Sequence, residues 1–358
     1  MSGSLQLWVP GLPIARFAAA QAERAEQRGW DGIVFADSQN LAGDVYVTLA
    51  LAAAATSRIA IGTGVTNPYT RHPAVTAAAI ATIQELTQGR AVLGIGRGDS
   101  ALAYLGLAPA PVPAFERYVE RLQAYLAGEE PVAGDDETLA SIDAGSLPLG
   151  QLPSRRIEWL ARSALPKVPV DVVGTGPRVL EVGGRLAERV TVSVGADPAR
   201  VEWALDVARR AHAAAGLDPD ALSLGAYVNV AAHPEPAVAA RLARPSVLSF
   251  ARFSAMHGPA VGPAADADRA VLEAIAPAYD MTRHFRHREG EGPSLPPGFV
   301  ERFGVVGAPD ACAERLAGLA ALGLERLVIV GPTAPTDPAT AEAEACFVEE
   351  VAPVLRAG

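Results

Sequence analysis

The chain alternates short runs of apolar, largely β-branched residues with longer segments in which apolar residues recur at helical spacing. The pattern is clearest from Arg58 to Ser100. Ile59 to Ile61 gives way to glycines and a polar turn, and an alanine-rich helix carrying Gln84 and Glu85 follows. Gly89 closes that helix, and a second strand, Ala91 to Ile95, ends in another glycine-rich loop. Neither strand alternates polar with apolar residues, so each is expected to be covered on both faces. Polar residues and glycines gather just after the strands, where parallel α/β proteins build their sites.

The same grammar runs along the rest of the chain. Leu5 to Val9 reads as a strand ending in Pro10 and Gly11, and Ile14 to Trp30 as an amphipathic helix. Ile33 to Ala36 is the next strand, with Asp37 and Ser38 at its end, and Asp44 caps a helix through Ala55. After Ser100 the pattern loosens. Phe115 to Leu126 is an amphipathic helix, whereas Gly128 to Pro153 is acidic, then turn-rich, and reads as a surface excursion or small hairpin. Strands return at Val170 to Val173, Val190 to Val194 and Leu222 to Val230, with an alanine-rich helix from Pro198 to Ala215 before the last of these. A helix after His233 leads into a long polar, irregular insertion from Ser246 to Phe299. The chain closes with a helix from Pro309 to Leu322, a strand from Arg326 to Val330 and a helix from Thr340 to Leu355. Strands starting at Leu5, Ile33, Ile59, Ala91, Val170, Val190, Leu222 and near Leu327, with helices between them, predict an α/β fold: a single-domain, TIM-like (β/α)8 barrel over residues 1–358, with insertions after strands 4 and 7. An open, doubly wound parallel sheet is the competitor.

Composition narrows the function classes. At 358 residues with a formal charge of −10 the chain is a poor general nucleic-acid surface, although a local basic site for an anionic cofactor remains open. Cys312 and Cys346 lie in helical patterns and give neither a metal spacing nor a disulfide framework. The start, MSGSLQLWVPG, lacks the basic region and apolar core of a signal peptide, and no run has the length of a membrane span. A cytoplasmic enzyme with a small organic substrate, and with no metal, nucleic-acid or membrane partner, is the expectation.

Several stretches together resemble one family. They are FADSQ (Phe35 to Gln39), GTGVTNPYTRHP (Gly62 to Pro73), IQELTQGRAVLGIGRGDSA (Ile83 to Ala101), VGTGPRVLEVGGRLAERV (Val173 to Val190), RFSAMHG (Arg252 to Gly258), YDMTRH (Tyr279 to His284) and Arg302 to Gly331. The chain resembles the bacterial luciferase-like superfamily, and within it the deazaflavin branch of methylenetetrahydromethanopterin reductase and related F420-dependent oxidoreductases. That resemblance implies a barrel holding a flat ring at its strand ends, hydride transfer from coenzyme F420 to a C=N, C=C or carbonyl group, and a homodimer. It also implies a bulge at Gly64, Val65 and Thr66 that backs the ring and often contains a non-proline cis peptide. The alternatives are an FMN-dependent monooxygenase and a catalytically silent flavin-binding protein.

The candidate residues each carry a second, purely structural explanation. Gly174, Thr175, Gly176, Pro177 and Arg178 follow a strand and open a helix whose free amides can hold the cofactor phosphate, or they form a tight turn. They match neither a Walker loop nor a full Rossmann fingerprint. Gly195 closes the next strand and joins the cofactor set. Asp37 is expected to contact the ring or a nearby proton donor, or else to cap a loop. Ser38 stands where many relatives have His, which removes a histidine acid from that position. Thr66 and Asn67 are expected against the cofactor, with Arg71 and His72 behind them, or as a structural turn before Pro73. Gly94, Gly96 and Gly98 would let a ring approach beside Arg97, or make a barrel turn braced by Arg97 and Asp99. Glu85 is either buried beneath the site or ordinary helix support. In the insertion, His257, Tyr279, Asp280, His284 and His287 offer proton-transfer groups. His257, Tyr279, His284 and His287 are expected to contact substrate, His284 is preferred and joins Asp37 as a catalytic candidate, and Phe253 and Met256 pack.

Overall fold

All eight apolar runs expected to be strands are strands in the computed structural model, which describes residues 4–131, 154–287, 293–332 and 337–357. The excursion expected from Gly128 to Pro153 falls largely outside the described residues. In chain order the elements are β1 (Gln6–Gly11), α1 (Ala15–Gln27), β2 (Gly32–Phe35), α2 (Val45–Ala55), β3 (Ala60–Thr66), α3 (Pro73–Thr87), β4 (Ala91–Ile95), α4 (Asp99–Ala103) and α5 (Val112–Leu126). They continue with β5 (Val170–Gly174), α6 (Pro177–Leu186), β6 (Arg189–Val192), α7 (Pro198–Ala214), β7 (Ser223–Ala232), α8 (Pro236–Ala251), α9 (Asp266–Ala278), α10 (Phe299–Phe303), β8 (Val305–Gly307), α11 (Pro309–Ala320), β9 (Arg326–Val330), α12 (Pro338–Cys346) and α13 (Ala352–Ala357). The strand order β6-β5-β4-β3-β2-β1-β9-β7-β8, with β6 also paired to β7, closes eight parallel strands into a barrel and leaves β8 as an addition on β7. β8 was not expected from the sequence, because three residues are too few to show a period.

The chain divides into two compact units. In the Gly11–Asp171 unit, β2, β3 and β4 pair in register, with Ile33 opposite Ile61 and Ile61 opposite Ala91. The register slips between Thr63 and Thr66, and the Gly64–Val65 peptide there is cis. Gly94 is required on β4, since a Cβ would stand 2.2 Å from the Thr63 carbonyl oxygen. The Asp44 carboxylate accepts from the Tyr46 and Val47 amides and starts α2 as expected. Gln88, in the left-handed region at φ 53°, ends α3 just before Gly89 at φ 101°.

The second unit comprises Met1–Pro10 and Val172–Gly358. Here β1 pairs β9, β9 pairs β7, and β7 pairs β6 and β8. The stretch Ser246–Phe299 differs from the irregular insertion expected. Ser246 lies inside α8, and α9 and two short 3-10 turns follow. Leu242, Val247, Leu248, Leu272, Ile275 and Phe299 give this region a core of its own. Pro245 and Pro277 sit within α8 and α9, which continue through them. The terminal helix likewise runs on through a π turn at Phe347–Val351.

One surface clamp sets where β3 begins. Glu26, near the end of α1, accepts from the amides of Ser57, Arg58 and Ile59 at 3.0, 2.6 and 2.9 Å, and from the Ser57 hydroxyl at 3.2 Å. Burial would raise its pKa, but the Ile59, Arg58 and Ser57 donors outweigh burial and hold it below the usual carboxylate range. A depressed carboxylate adds stability above the unfolded value of 4.5 and loses it as pH falls through the folded value. Glu26→Ala should therefore cost about 2 kcal/mol in urea unfolding at pH 7, with the deficit shrinking below pH ~4.

Candidate active site

The ends of β2 and β3 carry a buried polar cluster in the Gly11–Asp171 unit. Asp37, 1 % exposed, accepts from Thr66 Oγ1 at 2.6 Å, Arg71 Nη1 at 2.5 Å and Gln39 Nε2 at 2.6 Å. Arg71 also reaches Asp44 at 2.7 Å and lies over the Tyr46 ring. Burial disfavours the Arg71 cation, but the Asp37 charge and the Asp44 hydrogen bond hold its pKa up. Tyr118 donates to the Arg71 carbonyl at 3.1 Å and meets Thr76 Oγ1 at 2.7 Å. Burial, with Asp37 adding to it, pushes the Tyr46 phenol far up, so it stays neutral. Both Asp37 oxygens thus face protein donors, and the carboxylate ties the β2 and β3 ends together. The Ser38 carbonyl accepts from the Leu41 and Ala42 amides and turns the chain toward α2.

Asn67 is placed unambiguously. Its Oδ1 accepts from the Tyr69 and Thr70 amides, each at 3.1 Å, which fixes the amide orientation. Nδ2 then points away, buried and with no protein partner among the described residues. Gly98, at φ 88°, packs beneath it, where a Cβ would come within 2.8 Å of Asn67 Cβ. The Gly96 amide donates to the Thr66 carbonyl at 3.0 Å, so β4 continues beside the bulge. Arg97 Nε donates to the Ala110 carbonyl at 2.5 Å, so the side chain braces this turn through backbone. His72 Nδ1 accepts from the Ala74 amide and starts α3. Glu85 corrects the expectation of a buried carboxylate: it is exposed. Its neighbour Gln84 is the buried one, bonded to the Ala91 amide and the Pro166 carbonyl.

In the second unit the Gly174–Arg178 turn lies between β5 and α6. Gly176 precedes α6 with no side-chain cap, and a Cβ there would meet nothing within 4 Å. The first amides of the helix lack partners within it, and Pro177 occupies the position where an N–H is dispensable. Thr175 Oγ1 donates to the Ser193 carbonyl at 2.9 Å, so its proton is already committed. Ser193 Oγ, just after β6, and Asn229 Nδ2, within β7, are buried with no protein partner among the described residues. Gly195, at φ 84°, packs on the Phe303 ring and has no room for a side chain. Sequence reading missed Ser193 and Asn229. A lone Asn in the apolar run AYVNVAA was the available signal for the second.

Of the insertion candidates, His257 is exposed, whereas Tyr279, His284 and His287 cluster. Tyr279 OH lies 2.6 Å from Ser249 Oγ and 2.7 Å from His284 Nδ1. Ser249 Oγ also lies 2.9 Å from the Pro245 carbonyl. Only one proton assignment fills all three contacts: Ser249 donates to Pro245, Tyr279 to Ser249, and His284 Nδ1–H to Tyr279. Burial, then the Arg252 and His287 charges, lower His284 to about 3. The imidazole is therefore neutral near pH 7 with Nε2 as an acceptor, which removes it as an imidazolium acid. Arg252 lies over the Phe253 and Tyr279 rings, and its Nη1 contacts Met256 Sδ.

In each unit the residues present fit an acceptor-rich group. In the Gly11–Asp171 unit Asn67 Nδ2 can donate, which suits a ring carbonyl. In the second unit Ser193 Oγ, Asn229 Nδ2 and the first amides of α6 can donate, which suits a phosphate. Among the described residues no His, Cys, Asp and Glu group is arranged to hold a metal, and no helix is long and apolar enough to cross a membrane.

The chain is similar to several known proteins. The profile of the family described as luciferase-like monooxygenase matches residues 8–326. A 5,10-methylenetetrahydromethanopterin reductase of Methanolobus tindarius is 29 % identical over 92 % of this chain and 94 % of its own. One from Archaeoglobus fulgidus is 30 % identical over 87 % and 88 %. The solved structure of a coenzyme F420-dependent tetrahydromethanopterin reductase from Methanopyrus kandleri superposes with a TM-score of 0.72, at 24 % identity over 98 % of this chain and 99 % of that one.

The proton count sets an outcome for His284. Imidazole 15N NMR should show a neutral Nδ1–H tautomer with no titration from pH 8 down to 5, the folded value being about 3. Because the unfolded histidine, near 6.5, binds the proton that the folded one refuses, this residue's contribution to stability should fall as pH drops below about 6.5.

Proposed function

The chain belongs to the luciferase-like monooxygenase family, and within that family we propose that it is a coenzyme F420-dependent oxidoreductase acting as a reductase on a C=N, C=C or carbonyl group of a small organic substrate. The observation that carries this reading is likeness to methylenetetrahydromethanopterin reductases along nearly the whole of both chains. When bound, reduced F420 supplies a hydride from position five of its ring.

The chain's own residues bind and orient. The Gly64–Val65 turn and the Gly96 backbone offer a flat surface at the ends of β3 and β4. Asn67 Nδ2 donates to a ring carbonyl, while Asp37 holds Thr66 and Arg71 in place behind it. The amides at the start of α6, Ser193 Oγ and the exposed Arg178 hold the phosphate. Thr175 acts through its bond to the Ser193 carbonyl. The Tyr279, His284 and His287 cluster contacts substrate, and with Nε2 of His284 an acceptor, a proton needed at a reduced carbonyl comes from another group or from water.

Two features support assembly. α2 carries no charged residue, and Val47, Leu51 and Ala54 line its exposed face. α3, packed beside α2, exposes Val75 and Leu86. A helix apolar all round belongs in an interface, so a second copy covers this face in a homodimer; a cytoplasmic location is part of the same proposal. Leu51→Glu should halve the mass measured by light scattering at micromolar concentration; an unchanged mass would move the interface elsewhere.

Anaerobic titration decides the cofactor. F420 should bind and FMN should not, with F420H2 reoxidised by an acceptor panel of imines, enones and ketones. Arg178→Ala should weaken F420 by about tenfold. Preferential FMN binding followed by oxygen-dependent oxygenation would mark a monooxygenase, and F420 binding without any turnover a silent binding protein.

A further inference from the structure

Arg200, in the first turn of α7, is a buried cation that the proposed chemistry does not use. It is 4 % exposed, and each arm of its guanidinium goes to a different segment. Nε donates to the Val194 carbonyl at 3.0 Å, Nη2 to Ser254 Oγ at 3.1 Å and Nη1 to the Pro263 carbonyl at 3.0 Å. None of these acceptors is a carboxylate. Asp197 receives the Arg200 backbone amide, and with Asp268 it acts on the guanidinium only through space. A buried cation among neutral acceptors is a poor stabilising device, since its desolvation is not offset by a bonded counter-charge. What the guanidinium does supply is a rigid three-way fork, which a flexible ammonium could not reproduce.

The three segments are functionally distinct. Val194 lies between Ser193, the buried hydroxyl bonded through its carbonyl to Thr175, and Gly195. Ser254 ends the 3-10 turn that carries Arg252 and Phe253, and Arg252 stacks on Tyr279, the partner of His284. Pro263 follows Gly262, against which the Trp203 ring of α7 packs, and the Val261 amide returns to the Ser254 carbonyl at 2.9 Å. We propose that Arg200 is a positioning residue that fixes the substrate-side turn Arg252–Ser254 to the strand-end loop Ser193–Gly195, so that the phosphate side and the substrate side of the site are held as one body. The assignment of those sides rests on the F420 reading; the mechanical link does not.

Hydrogen exchange tests the link without ligand. Ser254→Ala should speed exchange by about fivefold or more not only in 252–263 but also at the Ser193 and Ala196 amides, which Ser254 does not touch. Arg200→Lys should do the same to both segments, and Ser254→Thr, which keeps the hydroxyl, should restore them. Changes confined to 252–263 in Ser254→Ala would overturn the proposal. If Arg200→Lys fails to fold, the Ser254 pair still decides. A second arm adds F420: it should slow exchange in 252–263 of the wild-type chain, and in Ser254→Ala it should bind within about threefold of wild-type affinity without slowing that segment. F420-induced slowing that persists in Ser254→Ala would also overturn the link. Failure of F420 to bind the wild-type chain would sink the cofactor reading, while the ligand-free arm would still decide the coupling.

Discussion

The site depends on the ion pair between Asp37 and Arg71. Two charges placed at the end of a buried strand are costly unless each is fully bonded, and here the bonding is complete enough to fix geometry. Asp37 takes Thr66, Arg71 and Gln39, while Arg71 takes Asp44 and lies over Tyr46. Because Thr66 ends β3 immediately after the cis Gly64–Val65 peptide, the carboxylate fixes the position of the bulge relative to β2. Asp44, in turn, caps α2. One buried pair thereby sets a strand end, a bulge and a helix start. Asp37 serves better as a brace than as a proton carrier, since both its oxygens are already engaged.

The barrel was legible because its strands are short apolar runs with no polar interruption, and β4 and β9 match their expected bounds residue for residue. Other features were hidden for identifiable reasons. In α3 the abundance of alanine flattens the difference between faces, so nothing in the sequence said that Gln84 would be buried and Glu85 exposed. The helix expected after His233 runs past Pro245 to Ala251, and α9, with Pro277 inside it, lies in the stretch expected to be irregular. At Pro245 the carbonyl takes the Ser249 hydroxyl, the same hydroxyl that starts the Tyr279–His284 chain. A position that breaks a local rule is thus wired to the candidate substrate contacts.

The site residues divide along the same line. Those named from motifs at strand ends, Asp37, Thr66, Asn67 and the Gly174–Arg178 turn, stand where the βα connections put them. What the motif could not convey was the direction of each proton. Thr175 looks like a phosphate donor in sequence, yet its hydroxyl is spent on the Ser193 carbonyl, and the hydroxyl left without a partner is that of Ser193 itself. His284 looks like a neutral-pH acid, yet burial and two neighbouring charged or chargeable groups make it a neutral acceptor. Residue type suggests a role, and the hydrogen-bond inventory around the residue decides its sign.

That inventory also explains how a chain with a formal charge of −10 can accept an anionic cofactor. The field of the whole molecule works against an anion, so attraction has to be local and short-ranged. Helix amides at α6, a buried serine hydroxyl and one exposed arginine are such groups, and none depends on net charge. Among the buried donors lacking a protein partner, Asn67 and Ser193 each follow the last residue of a strand, and Asn229 lies within β7. Burying an unmatched donor costs on the order of 1–3 kcal/mol, so each of them calls for an acceptor. Ring carbonyls and a phosphate are acceptors of that kind.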